Sequence, residues 1–349
     1  SLNGKELSYI MDYGDVDALF IGKIETWDEI KNDLPNEMPI IKFPKYDGCS
    51  NVTKGHNWHE FINKHDPIQN PHKPKLSDLW TIIFTSGTTG ASKGAVIKYE
   101  SLMNTREIHE AYNPLAIDVG GDNRFISYLP LNHIFERICI EWTALRYGGS
   151  ISFVESLETF GQNLADIEPT TFQGVPRIYT KFQEKILSKM SQKKLNILLK
   201  IPLVSSLIKK KLQAALGLTK VRVVVSGAAA LPVSLIDWYK TIGIYIFNGY
   251  GMTENCCVCT ALDPYQPLGV GSVGTVSSPS VKLKITDEGE ICMTGPFLLD
   301  SYYKNEEVTK ETLKDGWLHT GDLGHIDEDG FLYVTGRVKD IFNTSKGNY

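Results

Sequence analysis

Residues 80–94 read Trp-Thr-Ile-Ile-Phe-Thr-Ser-Gly-Thr-Thr-Gly-Ala-Ser-Lys-Gly. The first half is aromatic or β-branched and reads as a strand; the second half is a loop of glycine, small hydroxyl residues and one lysine. Gly87, Gly90 and Gly94 free the backbone for left-handed conformations and close approach to an anion. Ser86, Thr88 and Thr89 set hydroxyl donors beside exposed amides, and Lys93 adds a positive charge. The loop reads as leading into a helical stretch from about Tyr99, the setting in which backbone N–H groups cradle a phosphate. It is not a Walker A loop, because Lys93 is followed by Gly94, and it lacks the G-x-G-x-x-G spacing of dinucleotide folds. The same composition serves an ordinary surface turn, and on chemistry alone the two readings stand level.

Outward from this loop, apolar runs alternate with helical stretches. Ala18–Ile21 closes at Gly22, Ser127–Leu129 ends at Pro130, and Ile151–Val154 follows Gly148-Gly149. Val221–Val225 ends at Ser226-Gly227, and Ile244–Phe247 ends at Asn248-Gly249. Apolar strands separated by amphipathic helices imply an α/β fold of doubly wound, mostly parallel sheets covered by helices, with ligands at the carboxyl ends of the strands. After about residue 270 the pattern changes to short segments punctuated by Asp287-Glu288-Gly289, Asp315-Gly316 and Asp327-Glu328-Asp329-Gly330. These are hairpin signals and predict a small antiparallel, barrel-like β subdomain. Asn63–Pro74, with three prolines, reads as an exposed loop.

Composition narrows the function class. The 349 residues are 42% hydrophobic and 22% charged, which excludes disorder and a small disulfide scaffold. A net charge of -5 gives no reason to expect nucleic acid as a partner. No apolar run approaches the roughly 20 residues that span a bilayer, and the first residues carry no apolar signal-peptide core. Cys256, Cys257 and Cys259 have no second ligand pair at zinc-site spacing and read as small buried thiols. The thin cysteine usage predicts a reducing, cytoplasmic setting. Residues 183–216 are helical in pattern and carry Lys185, Lys189, Lys193, Lys194, Lys200, Lys209, Lys210 and Lys211 among leucines and isoleucines. That stretch is a candidate peripheral membrane contact, although a solvated lysine face is the commoner meaning of such a helix.

Three further segments carry candidate chemistry. In Asn248-Gly249-Tyr250-Gly251-Met252-Thr253-Glu254, Tyr250 offers a flat face for a purine, Thr253 a hydroxyl, and Glu254 an oxygen ligand suited to Mg²⁺. Taken alone, a turn with a capping threonine and a solvated glutamate explains it better. Ser226-Gly227-Ala228-Ala229-Ala230 leaves room for a ring to lie against the backbone, and equally suits close helix–strand packing. Gly316-Trp317-Leu318-His319-Thr320-Gly321-Asp322 brings a carboxylate that could accept two adjacent hydroxyls, or simply a turn aspartate.

In order along the chain, these segments resemble those of the adenylate-forming superfamily of acyl-CoA synthetases, luciferases and peptide-synthetase adenylation domains. Ser92 stands where that family usually has a proline. The resemblance implies that Thr85, Ser86, Gly87, Thr88, Thr89, Gly90 and Lys93 hold the β- and γ-phosphates of ATP. It implies that Gly227, Ala228, Ala229, Asn248, Gly249, Tyr250, Gly251 and Met252 surround the nucleoside. Asp322 and Arg337 would hold the ribose. Thr253, Glu254 and Lys93 would be the catalytic group, with Glu254 on Mg²⁺. Gly336–Asp340 is similar to the family's hinge, with Lys339 at the pivot.

Residues 129–137, Leu-Pro-Leu-Asn-His-Ile-Phe-Glu-Arg, resemble the long-chain acyl-CoA synthetase form of a family motif, as do 173–179 and 346–349. His133 and Phe135 would then sit near the acyl entrance, although a lone histidine is as readily structural. The implied activity is ATP-dependent conversion of a fatty acid to acyl-AMP and then, with coenzyme A, to acyl-CoA. A nucleotide-binding module without chemistry and an adenylating enzyme for another acid or a carrier protein are the alternatives. The resemblance divides the chain into an α/β core over 1–270, a β subdomain over 271–336, and a hinge with the stub of a further domain over 337–349. It also places the family's catalytic lysine beyond Tyr349 and the start of the core before Ser1, so this polypeptide alone is expected to bind nucleotide but adenylate poorly.

Overall fold

The computed structural model describes residues 4–22, 24, 26–35, 37–44, 52–85, 92–263, 269–340, 343–344 and 347–348. A small parallel sheet comes first, of β1 (Leu19–Ile21), β2 (Ile40–Lys42) and β3 (His56–Asn57). β4 (Leu79–Thr85) and β5 (Lys93–Lys98) form an antiparallel hairpin. β6 (Arg124–Ser127) and β7 (Ser150–Phe153) pair in parallel. The central sheet sets β8 (Thr171–Gly174), β9 (Val223–Ser226) and β10 (Ile246–Tyr250) in parallel, then adds β11 (Thr260–Leu262) and β12 (Thr275–Val276) antiparallel, in the order β12-β11-β10-β9-β8.

The carboxy-terminal part is antiparallel. β13 (Lys282–Ile285), β14 (Glu290–Thr294), β16 (Leu313–Lys314), β17 (Trp317–Ile326) and β18 (Leu332–Arg337) make one sheet. Between them, β15 (Ser301–Tyr302) leaves that sheet and pairs with β5, tying the β4–β5 hairpin to this half of the molecule.

Alternation along the buried strands explains why helices cover both faces. Ile126 of β6 and Val224 of β9 face one core, with Leu164, Tyr179 and Tyr239 from the helices Phe160–Ile167, Pro176–Lys189 and Val233–Thr241. Their neighbours Phe125 and Val225 face the other, against Ile140 and Ala144. Successive strand residues point to opposite faces, so wholly apolar runs demand cover on both. A third core joins the hairpin to the antiparallel sheet through Ile83, Ala95, Ile97, Met293, Phe297 and Leu318.

Three elements differ from the sequence reading. The glycine-rich loop does not pass directly into a helix: it returns antiparallel into β5, and only then does the helix Tyr99–Asn104 begin. The reason is Gly94-Ala95-Val96-Ile97, in which Ala95 and Ile97 are wholly buried at strand spacing. β6 ends at Ser127, three residues upstream of Pro130, because its register is set by β7. β10 runs on to Tyr250, since β11 pairs with Asn248, Gly249 and Tyr250; these residues belong to the strand and not to a loop after it. Asn63–Pro74 is exposed throughout, as its composition predicts.

Candidate functional site

The segments singled out by sequence converge at the carboxyl ends of β9 and β10. Ser226 and Asn248 stand side by side in register. Both are buried, and Ser226 Oγ and Asn248 Oδ1 have no hydrogen-bond partner among the described residues. Buried polar atoms of this kind are what a polar ligand satisfies. Gly227 lies next to them, and a Cβ there would touch the ring of Phe135 at 3.7 Å, so the 129–137 motif reaches the same strand ends. Ala228, Ala229 and Ala230 are exposed. Their small side chains therefore do not serve helix–strand packing. Ala228 has φ 67°, a left-handed conformation that costs energy for any residue with a Cβ and that collects at functional sites.

Tyr250 and Asp322, 72 residues apart, touch: the Tyr250 hydroxyl donates to Asp322 Oδ2 at 2.6 Å. Arg337 Nη1 donates to Asp322 Oδ1 at 2.6 Å, across the β17–β18 ladder. Asp322 is 6% exposed and lies within β17, so it is not a turn aspartate. Burial and the Asp322 charge together push the Tyr250 hydroxyl well above its ordinary pKa and keep it a proton donor.

Glu254 is buried, not solvated, and the short 3₁₀ turn Thr253–Asn255 is closed by Asn255, whose Oδ1 accepts the Met252 N–H at 2.9 Å. Glu254 Oε1 accepts the Tyr302 hydroxyl at 2.6 Å. Lys93 Nζ lies 5.7 Å from the centre of the Tyr302 ring, a cation–π contact. Tyr302 thus links the base of the glycine-rich loop to Glu254. Thr85 and Lys93 close the loop's base, with Thr85 Oγ1 donating to Lys93 O at 3.4 Å. A cavity of about 90 Å³ opens beside Lys93, between Tyr9, Tyr13, Tyr302 and Tyr303. Ser86, Gly87, Thr88, Thr89 and Gly90 lie outside the described residues, as do Lys346 and Tyr349.

His133 has a visible structural task. Its Nδ1 accepts the Phe135 N–H at 3.3 Å and caps the short helix Ile134–Glu136. Burial lowers its pKa, which keeps the ring neutral and able to accept. Phe135 is buried. Lys339 is exposed in the 3₁₀ turn Val338–Asp340. Cys256 and Cys259 are wholly buried free thiols, and desolvation raises both, Cys256 to about 12. They are core residues, as the sequence predicts.

A family model described as AMP-binding enzyme matches residues 1–303. The chain belongs to the AMP-binding enzyme family. Long chain acyl-CoA synthetase 4 of Arabidopsis thaliana is 30% identical over 405 residues, covering 100% of this chain and 59% of that protein. The chain spans about half the length of the curated relatives it matches. Among solved structures, an anthranilate CoA ligase in complex with anthranoyl-AMP superposes with TM-score 0.77 at 21% identity, over 99% of this chain and 63% of that one. O-succinylbenzoate coenzyme A synthetase from Bacillus subtilis, solved with ATP and magnesium ion, gives TM-score 0.69 at 22% identity, over 99% and 65%. These structural likenesses are ones of fold.

Sequence reading missed several residues in the candidate site of this AMP-binding enzyme. Tyr302 and Glu290 touch predicted residues or their immediate neighbours from other strands, and no local pattern marks them; His319 lies three residues before Asp322 on the same strand, within a segment read only for its aspartate. Gln173 Nε2 donates to the wholly buried Glu136 at 3.1 Å, and burial holds the Glu136 carboxyl above its usual range. For Tyr302 the consequence is measurable. Tyr302→Phe removes a charge-assisted hydrogen bond from a buried carboxylate, expected to cost about 1.5–3 kcal/mol of stability. Affinity for ATP in the presence of Mg²⁺ should fall about 10-fold. Titration calorimetry with and without Mg²⁺ checks this, and an unaltered Mg²⁺ dependence would show that Tyr302 does not orient Glu254.

Proposed function

We propose that this chain is the nucleotide-binding part of a ligase that activates a long-chain fatty acid with ATP and passes it to coenzyme A. The observation that carries the reading is the convergence of Tyr250, Asp322 and Arg337 beside a second group of Lys93, Tyr302 and Glu254. The first group suits a nucleoside: a flat ring face, and a carboxylate able to accept ribose hydroxyls. The second suits a polyphosphate: a cation at the base of a glycine-rich loop, and a single acid of the sort Mg²⁺ uses beside substrate phosphates. The curated relatives are long-chain acyl-CoA synthetases, which supports fatty acid and coenzyme A as co-substrates.

In this mechanism the fatty acid carboxylate attacks the α-phosphorus of ATP and pyrophosphate leaves. The coenzyme A thiol then attacks the acyl-adenylate, releasing AMP. The protein's part is positioning and charge neutralisation, since the transferring phosphorus spreads its charge over its oxygens. Lys93 and the Thr85–Gly90 loop hold the leaving phosphates, Thr253 adds a hydroxyl, and Tyr250 with Asp322 and Arg337 fixes the nucleoside. Glu254 would hold Mg²⁺, which supplies neutralisation of the leaving charge when bound. Gly227, Ala228 and Ala229 leave the purine its space, Phe135 walls the acyl side, and Lys339 lies at the hinge. The test is ATP–pyrophosphate exchange by the whole ligase, not by this part alone, over a panel of acids of different length and class. Exchange driven by long-chain fatty acids is the expected result; exchange driven only by amino acids or short acids would overturn the substrate assignment.

We further propose that this enzyme works at an anionic membrane surface. Between Lys185 and Ile236 there is no aspartate or glutamate, in a chain whose net charge is -5. The helices Gln192–Leu199 and Pro202–Ala215 in that stretch expose Ile197 (63%), Leu203 (89%) and Leu207 (54%) beside the exposed lysines 193, 194, 200, 210 and 211. Apolar side chains rimmed by lysine fit a bilayer interface with anionic headgroups, at about 1 kcal/mol per basic residue. No helix among the described residues is long and apolar enough to cross a membrane. Co-sedimentation with phosphatidylserine-containing vesicles should fall about 100-fold or more when Lys193, Lys194, Lys210 and Lys211 are changed to glutamate. Equal binding by that variant, or equal binding to neutral vesicles, would remove the proposal.

A further inference from the structure

We propose that Glu290 is a positioning residue for the ribose carboxylate, holding Asp322 at its working place through a strand bulge; the inference rests on the nucleotide reading above. β14 and β17 pair regularly at Met293–Leu318 and Cys292–His319, but the next pairing is Glu290–Leu323. Two residues advance on β14 (292 to 290) while four advance on β17 (319 to 323), so β17 carries two extra residues. The stretch Thr320–Gly321–Asp322 stands opposite Ile291 alone, and Gly321 takes φ 71° within it. A bulge of this kind leaves backbone groups without ladder partners and re-aims a side chain.

Side chains replace the lost ladder. Glu290 Oε1 accepts the Gly321 N–H at 2.9 Å, and Glu290 Oε2 lies 2.7 Å from His319 Nδ1. One carboxylate therefore grips the bulge from both sides of Thr320. The Thr320 hydroxyl donates to Ile291 O at 2.7 Å and accepts the Asp322 N–H at 3.1 Å. Cys292 Sγ backs the His319 ring at 3.4 Å. Glu290, Cys292 and His319 also group three atoms of metal-ligand type, but both Glu290 oxygens are already engaged by Gly321 and His319. The next residue along the chain is Asp322, whose oxygens meet Tyr250 and Arg337. Tyr250 and Arg337 hold Asp322 by its side chain; Glu290 holds the backbone that delivers it. Nothing in the spacing of 290 and 322 announces this, because the link depends on the register shift.

The consequence is specific to the ribose. In the wild-type chain AMP should bind about 10- to 100-fold more tightly than 2′-deoxy-AMP, the range expected for one hydrogen bond to a charged acceptor. In Glu290→Ala the preference should collapse to within about threefold, because AMP loses two hydroxyl contacts and 2′-deoxy-AMP, which keeps only the 3′-hydroxyl, loses one. Glu290→Gln should keep the preference, since its amide oxygen can accept from Gly321 and its amide nitrogen can donate to His319. A general loss of structure would weaken both nucleotides equally and would not be rescued by glutamine. The experiment is calorimetric titration of the three proteins with both nucleotides, beside thermal melts. If the alanine variant does not fold, Glu290→Asp, one methylene too short to reach Gly321 and His319 together, takes its place with the same expectation. A folded variant that retains the wild-type preference overturns the proposal. Uptake of neither nucleotide by the wild-type chain overturns the nucleotide reading itself, and this inference with it.

Discussion

Asp322→Asn lowers affinity for ATP and AMP by about 100-fold, the largest effect expected of any single substitution in this site. The magnitude is that of two charge-assisted hydrogen bonds at about 1.5–3 kcal/mol each, reduced because asparagine keeps one acceptor oxygen. Asp322 is 6% exposed and faces two donors, the Tyr250 hydroxyl and Arg337. Asparagine satisfies one of them and turns an amide toward the other. The cost to stability is smaller, about 1–3 kcal/mol, because the Arg337 side chain is 46% exposed and its charge can return to water. Calorimetry for binding and a thermal melt for stability separate the two. Wild-type affinity in a folded Asp322→Asn protein would show that this carboxylate does not hold the nucleotide.

Gly251→Ala is the second large effect, and it acts through the backbone. A Cβ at position 251 would sit 2.5 Å from the carbonyl carbon of Cys257 and 2.6 Å from its oxygen. These are main-chain atoms and cannot rotate away. The turn they belong to is already tight: Cys257 N–H donates to Met252 O at 3.0 Å, and Cys256 and Cys257 both take positive φ. Opening the turn moves Thr253 and Glu254, which it carries. Overpacking of this kind costs about 1–3 kcal/mol, and ATP affinity should drop at least about 10-fold as the acid leaves its place. Gly336→Ala is the matched control, since a Cβ there meets no atom within 4 Å and its stability should shift by less than about 0.5 kcal/mol. If the two glycine variants melt and bind alike, crowding at residue 251 is not what constrains the segment.

Much of the candidate site was legible in the sequence, because its segments are short and follow the order of the adenylate-forming superfamily. Tyr250, Thr253 and Glu254 lie within five residues, and Thr85 and Lys93 flank a loop whose glycines and hydroxyls are of the kind an anion site uses. Ala228 and Ala229 follow an apolar strand that had to end in a loop. Local chemistry misled where a neighbour from elsewhere in the chain decided the outcome. Glu254 reads as solvated until Tyr302, 48 residues on, is seen covering it. Asn248–Tyr250 reads as a loop until β11 extends the strand beside it. The loop after Thr85 reads as entering a helix until β5 turns back along β4.

By itself the sequence determined the class of fold and named part of the candidate site. Apolar runs of strand length need cover on both faces, and glycine, hydroxyl and carboxylate residues occur in segments short enough to act locally. Only the tertiary structure decided which carboxylate meets which donor. The Asp322–Tyr250 and Glu254–Tyr302 hydrogen bonds, and the Glu290 brace beneath Asp322, depend on sheet register and on a bulge in β17. Register is set by packing between strands far apart in the chain, and a shift of one residue turns every side chain to the opposite face.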